Sequence, residues 1–144
     1  MTTALDDGYA STVLTIDTSR PDAEVAAAWI AWTERSDPAR VPEPLSQNEG
    51  DDWGAQALLE LVCEEPIRAL EISFLIARMT NDGWILCNLG AGPIEDLLAD
   101  DATLLDAIAV EIESSPNLKI ALGSVWQNQM SDVTWRAVQR LAAS

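Results

Sequence analysis

The stretch from Ile67 to Met79 constrains the fold more than any other part of the chain. At 3.6 residues per turn, Ile67, Leu70, Phe74 and Ala77 fall on one side of a helix, while Ile72, Leu75 and Ile76 occupy much of the other. A helix that is apolar nearly all round is stable only when other elements surround it. This segment is therefore expected to be the central buried helix, and the rest of the chain has to cover it.

The flanking segments carry the same period. After Pro21, a residue suited to a first turn, Asp22 and Glu24 match the positive end of a helix dipole, and Val25, Trp29 and Trp32 recur at i, i+4 and i+7. Pro38, Pro42 and Pro44 break the polar stretch Ser36 to Gly50, which reads as a connecting loop. From Asp51, a cap residue, Trp53, Ala57 and Leu61 form one stripe with Leu58 and Val62 alongside, and Pro66 marks a new start. Asn81-Asp82-Gly83 is a turn signal, and Trp84 to Leu89 reads as a short helix stopped at Gly90 by a left-handed cap. Gly92-Pro93 then starts another, with Ile94, Leu97 and Leu98 inward. Leu104, Leu105, Ile108 and Ile112 mark a helix within Asp101 to Ser114, and Ser115-Pro116 opens a brief one closed by Gly123. Ser131 caps the last, which carries Val133, Trp135, Val138 and Leu141.

Residues 1–19 lack this period, although Thr12 to Ile16 alternates like a short strand. The expectation is an all-α protein: a loosely ordered arm over 1–19, then a single compact domain over 20–144. About eight short helices are expected to pack as antiparallel helical hairpins. No sequence period of the kind a repeat solenoid requires is present.

The chain of 144 residues contains no histidine, which removes the commonest general base, the Ser-His and Cys-His nucleophile pairs and His-containing zinc sites. Cys63 and Cys87 sit in apolar helical patterns, which points to two buried thiols and a reducing compartment, and two cysteines cannot build a four-Cys zinc site. Asp51-Asp52 and Asp100-Asp101 lack the alternating ligands and central glycine of a calcium loop and suit helix capping. Gly90-Ala91-Gly92 lacks the rest of a phosphate loop and reads as a tight turn between helices. No catalytic residue, metal ligand or cofactor is assigned. No stretch approaches a membrane span and the N-terminus has no signal-peptide pattern, so a cytoplasmic protein is expected.

Charge is what remains. Twenty-four acidic against eight basic side chains give a formal net charge of -16. That balance repels nucleic acid and anionic membranes and favours a basic partner, although charge that serves solubility alone would look the same. Between Arg78 and Lys119 there is no basic residue, while Asp82, Glu95, Asp96, Asp100, Asp101, Asp106, Glu111 and Glu113 lie there. A second acidic cluster spans Glu43, Glu49, Asp51, Asp52, Glu60, Glu64 and Glu65. Each reads either as a surface that steers a basic protein or as an ordinary solvated face. Trp29, Trp84 and Trp135 lie in apolar stripes, whereas Trp32, Trp53 and Trp126 sit near helix ends or loops. Trp53, beside Asp51 and Asp52, is the preferred interface anchor, with a core role as its alternative.

The run Trp84-Ile85-Leu86-Cys87-Asn88-Leu89-Gly90-Ala91-Gly92-Pro93-Ile94-Glu95-Asp96-Leu97-Leu98, followed by Ala121 to Trp126 and Trp135, resembles a family of small bacterial domains of unknown function. The shared pattern is a leucine, a Gly-Ala-Gly-Pro turn, an acidic pair and a later Gly-x-Val-Trp, over roughly Val25 to Arg140. The resemblance implies a bacterial origin and a helical fold, and carries no activity.

Size, charge and the missing catalytic groups point to an interaction protein of inhibitor type, such as an immunity protein that neutralises a basic toxin domain. Its partner-binding residues would be Asp51, Asp52, Trp53, Glu95, Asp96, Asp100, Asp101 and Asp106. A nucleic-acid-mimicking inhibitor, such as a phage-encoded anti-defence protein, is the second reading, and a carboxylate- or metal-dependent enzyme the third. An exposed apolar face on the central helices would point to a homodimer.

Overall fold

The computed structural model describes residues 18–40 and 52–144, and these are helical with no strand among them. The strand-like alternation at Thr12 to Ile16, residues 1–17 of the arm, Asp51 and most of the proline-rich loop lie outside the described residues.

Helix α1, Asp22–Arg35, begins directly after Pro21, whose carbonyl accepts from the Glu24 and Val25 amides, and it buries Val25, Ala26, Trp29 and Thr33. Helix α2, Trp53–Glu64, buries Gly54, Ala57, Leu58 and Leu61. A β-carbon on Gly54 would lie 2.6 Å from the Ala28 side chain, so this glycine sets how closely α1 and α2 approach. One residue, Glu65, separates α2 from α3, Pro66–Met79, and Pro66 takes the first turn, where its missing N–H is no loss. Helices α1, α2 and α3 all pack on one another. The near-total apolarity of α3 has the expected consequence, since Ala69, Leu70, Ile72, Ser73, Ile76 and Ala77 are buried. Ile67, at its start, is exposed.

The structure departs from the sequence-based expectation at Gly90. Helix α4, Gly83–Leu89, does not stop there; Gly90 keeps a right-handed helical backbone, with φ -68° and ψ -47°. The chain continues through one π-helical turn, Gly90–Ile94, into α5, Glu95–Asp100. Two features cause this. Pro93 cannot donate to the Leu89 carbonyl, and a wider turn accommodates its ring while the Glu95 amide reaches back five residues to the Gly90 carbonyl. A β-carbon on Gly90 would lie 1.7 Å from the Ala121 carbonyl oxygen, so the glycine serves close helix packing and not a left-handed cap.

Helices α6, Leu104–Ile112, α7, Asn117–Leu122, and α8, Asp132–Ala143, complete the order. Among the described residues there are thus eight α-helical segments, of which α4 and α5 form one continuous rod. The α4 segment and the π turn lie against α7, which in turn touches α3, α6 and α8. One core runs through this single compact domain, with Leu58, Ile72, Ile76, Leu86, Leu89, Ile94, Ile108 and Leu118 almost fully buried. Helix α8 buries Val138 alone and leaves Val133 exposed.

Arginines tie the helices together from outside. Arg40 meets Glu34, Asp37 and Asp82, while Arg78 meets Glu111 at 2.6 Å. Arg68 pairs with Asp22 at 2.8 Å and also donates to the carbonyls of Thr18 and Arg20.

Candidate functional site

The acidic stretch from Asp82 to Glu113 does not form one uniform surface. Asp82 caps α4 by accepting from the Ile85 amide and also meets Arg40. Glu111 is largely covered and paired with Arg78. Glu95 accepts from the Trp126 backbone amide at 2.8 Å and from the Asn128 side chain at 3.1 Å, which fixes the loop between α7 and α8 onto the start of α5. Asn128 takes a positive φ of 48° within that loop. These three carboxylates do structural work, each for a partner outside the stretch.

Asp96, Asp100, Asp106 and Glu113 enter no ion pair among the described residues. Asp96 and Asp100 stand four residues apart on α5, both exposed. Asp101 is exposed and turns inward on its own loop, accepting from the Thr103 amide and hydroxyl. Asp106 and Arg140 both line a shallow hollow between α6 and α8. Partial burial and then the neighbouring charge of Glu95 hold the Asp96 carboxyl above its ordinary titration range.

At the other expected cluster, Asp52 precedes α2, and its carboxylate accepts from Gln56 without capping the helix amides. Trp53 is half-buried against the core, and the Arg20 guanidinium lies 4.7 Å from its ring centre. Trp53 thus packs in part on the core and in part under Arg20. The solvent-facing tryptophan is instead Trp126, 72% exposed, with its backbone held by Glu95. Its position in a loop after Gly123 was the signal available in sequence.

Both cysteines are exposed and free, contrary to the buried thiols expected from their apolar neighbours. The buried residues of α4, Ile85, Leu86 and Leu89, follow an i, i+1, i+4 stripe that passes Cys87 by, and on α2 the stripe through Leu58 and Leu61 passes Cys63 by.

Two concavities flank the α4 rod. One, of about 820 Å³, lies between α4, α7 and α8 and is bordered by Cys87, Ala91, Val125, Trp126, Trp135 and Gln139. The other, of about 340 Å³, lies between α1, α2 and the π turn and is bordered by Trp29, Trp32, Leu59, Val62, Pro93 and Asp96. Thr33 also lines the second, and its buried Oγ1 finds no hydrogen-bond partner among the described residues. No group of three or more potential metal ligands is assembled among the described residues.

The segments 90–95 and 121–126 are thus two halves of one contact, Gly90 lying on the Ala121 backbone and Glu95 accepting from the Trp126 amide. No curated protein and no solved structure matches the chain. Residues 42–144, which contain both halves of this contact, match a family of unknown function (DUF6869), and the chain belongs to that family.

Proposed function

We propose that the protein is an acidic interaction domain of inhibitor type, which binds a basic protein and covers its working surface, as an immunity protein does to a bacterial toxin. The observation that carries this reading is the division of labour among the carboxylates. The arginines at 40, 68 and 78 are bound into struts, while Asp96 and Asp100 share one face of α5 and pair with no cation among the described residues. Like charges at i, i+4 destabilise a helix by about 0.2–0.5 kcal/mol, and a basic partner relieves that repulsion while gaining speed of association. Exposed Trp126, its backbone amide held by Glu95, supplies a separate aromatic anchor near the start of α5.

In this reading the protein works in a bacterial cytoplasm, in keeping with its two free thiols. Among the described residues no helix is long and apolar enough to cross a membrane. Mimicry of nucleic acid draws no support from the carboxylates, because Asp82, Glu95 and Glu111 are turned to internal partners and interrupt any row.

The experiment is affinity capture from the source organism with the full chain as bait, washed through a salt series. A basic protein that is retained at low salt and released as salt rises supports the proposal. Reversing the charge of Asp96 and Asp100 together should weaken capture, chiefly through slower association. Salt-insensitive capture of a neutral partner, indifferent to both substitutions, overturns it.

A further inference from the structure

We propose that the cleft between α1, α2 and the π turn is a binding site for a small organic ammonium with an apolar stem. Its volume of about 340 Å³ falls in the range of small-molecule pockets, which are mostly apolar with a few placed polar groups. The walls fit that description: Trp29, Trp32, Leu59 and Val62 offer aromatic and aliphatic surface, and Pro93 closes one side. Among the described residues, Asp96 is the sole ionisable group lining the cleft, and no basic side chain lines it.

That arrangement selects a cation. An anion would meet an uncompensated carboxylate, and a neutral ligand would strip water from Asp96 and return nothing. An ammonium replaces the lost water with a charge-assisted hydrogen bond, and the faces of Trp29 and Trp32 favour a cation near them. The negative charge of Glu95 adds to the field while its oxygens stay engaged with Trp126 and Asn128, so Asp96 remains the group that meets the ligand. The raised titration of Asp96 is in line with a carboxylate short of a counter-charge. The cleft shares Asp96 with the acidic face of α5, but titration of the small ligand needs no protein partner, so either reading can fail without the other.

The test uses the full chain and isothermal titration with phenethylammonium, 2-phenylethanol and phenylacetate, which share an apolar body and differ in charge. Phenethylammonium should bind saturably, about tenfold tighter than the alcohol, and phenylacetate should not bind. D96N should bring ammonium and alcohol within about twofold of each other while keeping the fold, and W32A should weaken both. Equal affinity for ammonium and alcohol in the unmodified protein, an unchanged preference in D96N, or no saturable binding overturns the proposal. Tighter binding of Nα-acetyl-lysine amide than of phenethylammonium would give the cleft to a lysine of a protein partner and overturn the small-molecule assignment.

Discussion

A methyl group added at Gly90 has nowhere to go, because the atom it meets at 1.7 Å is the backbone oxygen of Ala121 and not the end of a flexible side chain. Gly90→Ala must push the rod of α4 and α5 away from α7, and overpacking against backbone lies at the upper end of the usual range, about 3 kcal/mol. Thermal unfolding should show a fall in Tm of about 10 °C. Gly92, two residues on, has open space where its β-carbon would be. Gly92→Ala should therefore be neutral or stabilising by up to about 1 kcal/mol, through the smaller entropy of the unfolded chain. If both variants melt alike, the close approach of the two helices is not what Gly90 provides. Asp96 gives a second residue-scale expectation, with a sign that follows from its shift. Its carboxyl titrates above 3.8 in the folded protein because burial and Glu95 disfavour the charge. Above that folded value both folded and unfolded chains are ionised, and the folded state carries the whole penalty. Below 3.8 both are protonated and the penalty is gone. Asp96→Asn should accordingly raise Tm at neutral pH, and its advantage over the unmodified chain should shrink to nothing as pH falls past 3.8. An advantage that persists in acid would assign the effect to packing.

The loop between α7 and α8 shows how one helix end organises another element. Glu95 stands in the first turn of α5, and its two oxygens take the Trp126 amide and the Asn128 side chain. Loss of a hydrogen bond to a charged group costs about 1.5–3 kcal/mol locally. Glu95→Ala should therefore speed amide hydrogen exchange at Trp126 by tenfold or more, on the order of what that energy implies. Amides buried in α3, which shares no hydrogen bond with Glu95, should exchange as before. Equal acceleration throughout would mean that Glu95 supports the whole domain and not the loop. Local rules explain why most helix boundaries were legible and this contact was not. Pro21, Pro66 and Ser131 act on their own first turns, and the starts of α1, α3 and α8 follow from them directly. The π turn obeys a different logic. Gly90 followed by Gly92-Pro93 reads as a stop and restart by every local signal, and only the Ala121 backbone, thirty-one residues away, shows what the glycine is for. The cleft beside Asp96 was illegible for the same reason, since its walls come from α1, α2 and the π turn, segments far apart in sequence. Exposure of Cys87 and half-burial of Trp53 likewise depend on which helix lies opposite, which periodicity does not specify.

At the scale of the whole molecule, the question is whether the surface charge holds the fold together or pushes it apart. Carboxylates at 22, 24, 34, 37, 65, 82 and 111 are paired with arginines at 20, 40, 68 and 78. Most of those pairs are solvent-exposed on at least one side, and exposed pairs contribute about 0–1 kcal/mol each, less as salt rises. Against them stands a net charge of -16, which no internal pairing can remove. Its repulsion acts between many groups at once, including Asp96 and Asp100 on one helix face and Asp106 and Glu113 on the next helix or just past it. Raising ionic strength from 0.01 to 0.15 M shortens the screening length from about 30 Å to about 8 Å. Over a molecule of this size that shift removes most long-range repulsion, while contacts at 2.6 to 3.9 Å, such as Arg78 with Glu111 and Arg68 with Glu65, lie well inside either length. Repulsion should therefore lose more than attraction, and Tm at neutral pH should rise by a few degrees across that salt range. The same screening should weaken capture of a basic partner, so stability and partner binding are expected to respond to sodium chloride with opposite signs. Differential scanning calorimetry alongside the capture series would read both quantities on the same samples. A Tm that falls with salt would make the arginine struts the dominant electrostatic term and would remove the repulsion argument from the case for a basic partner.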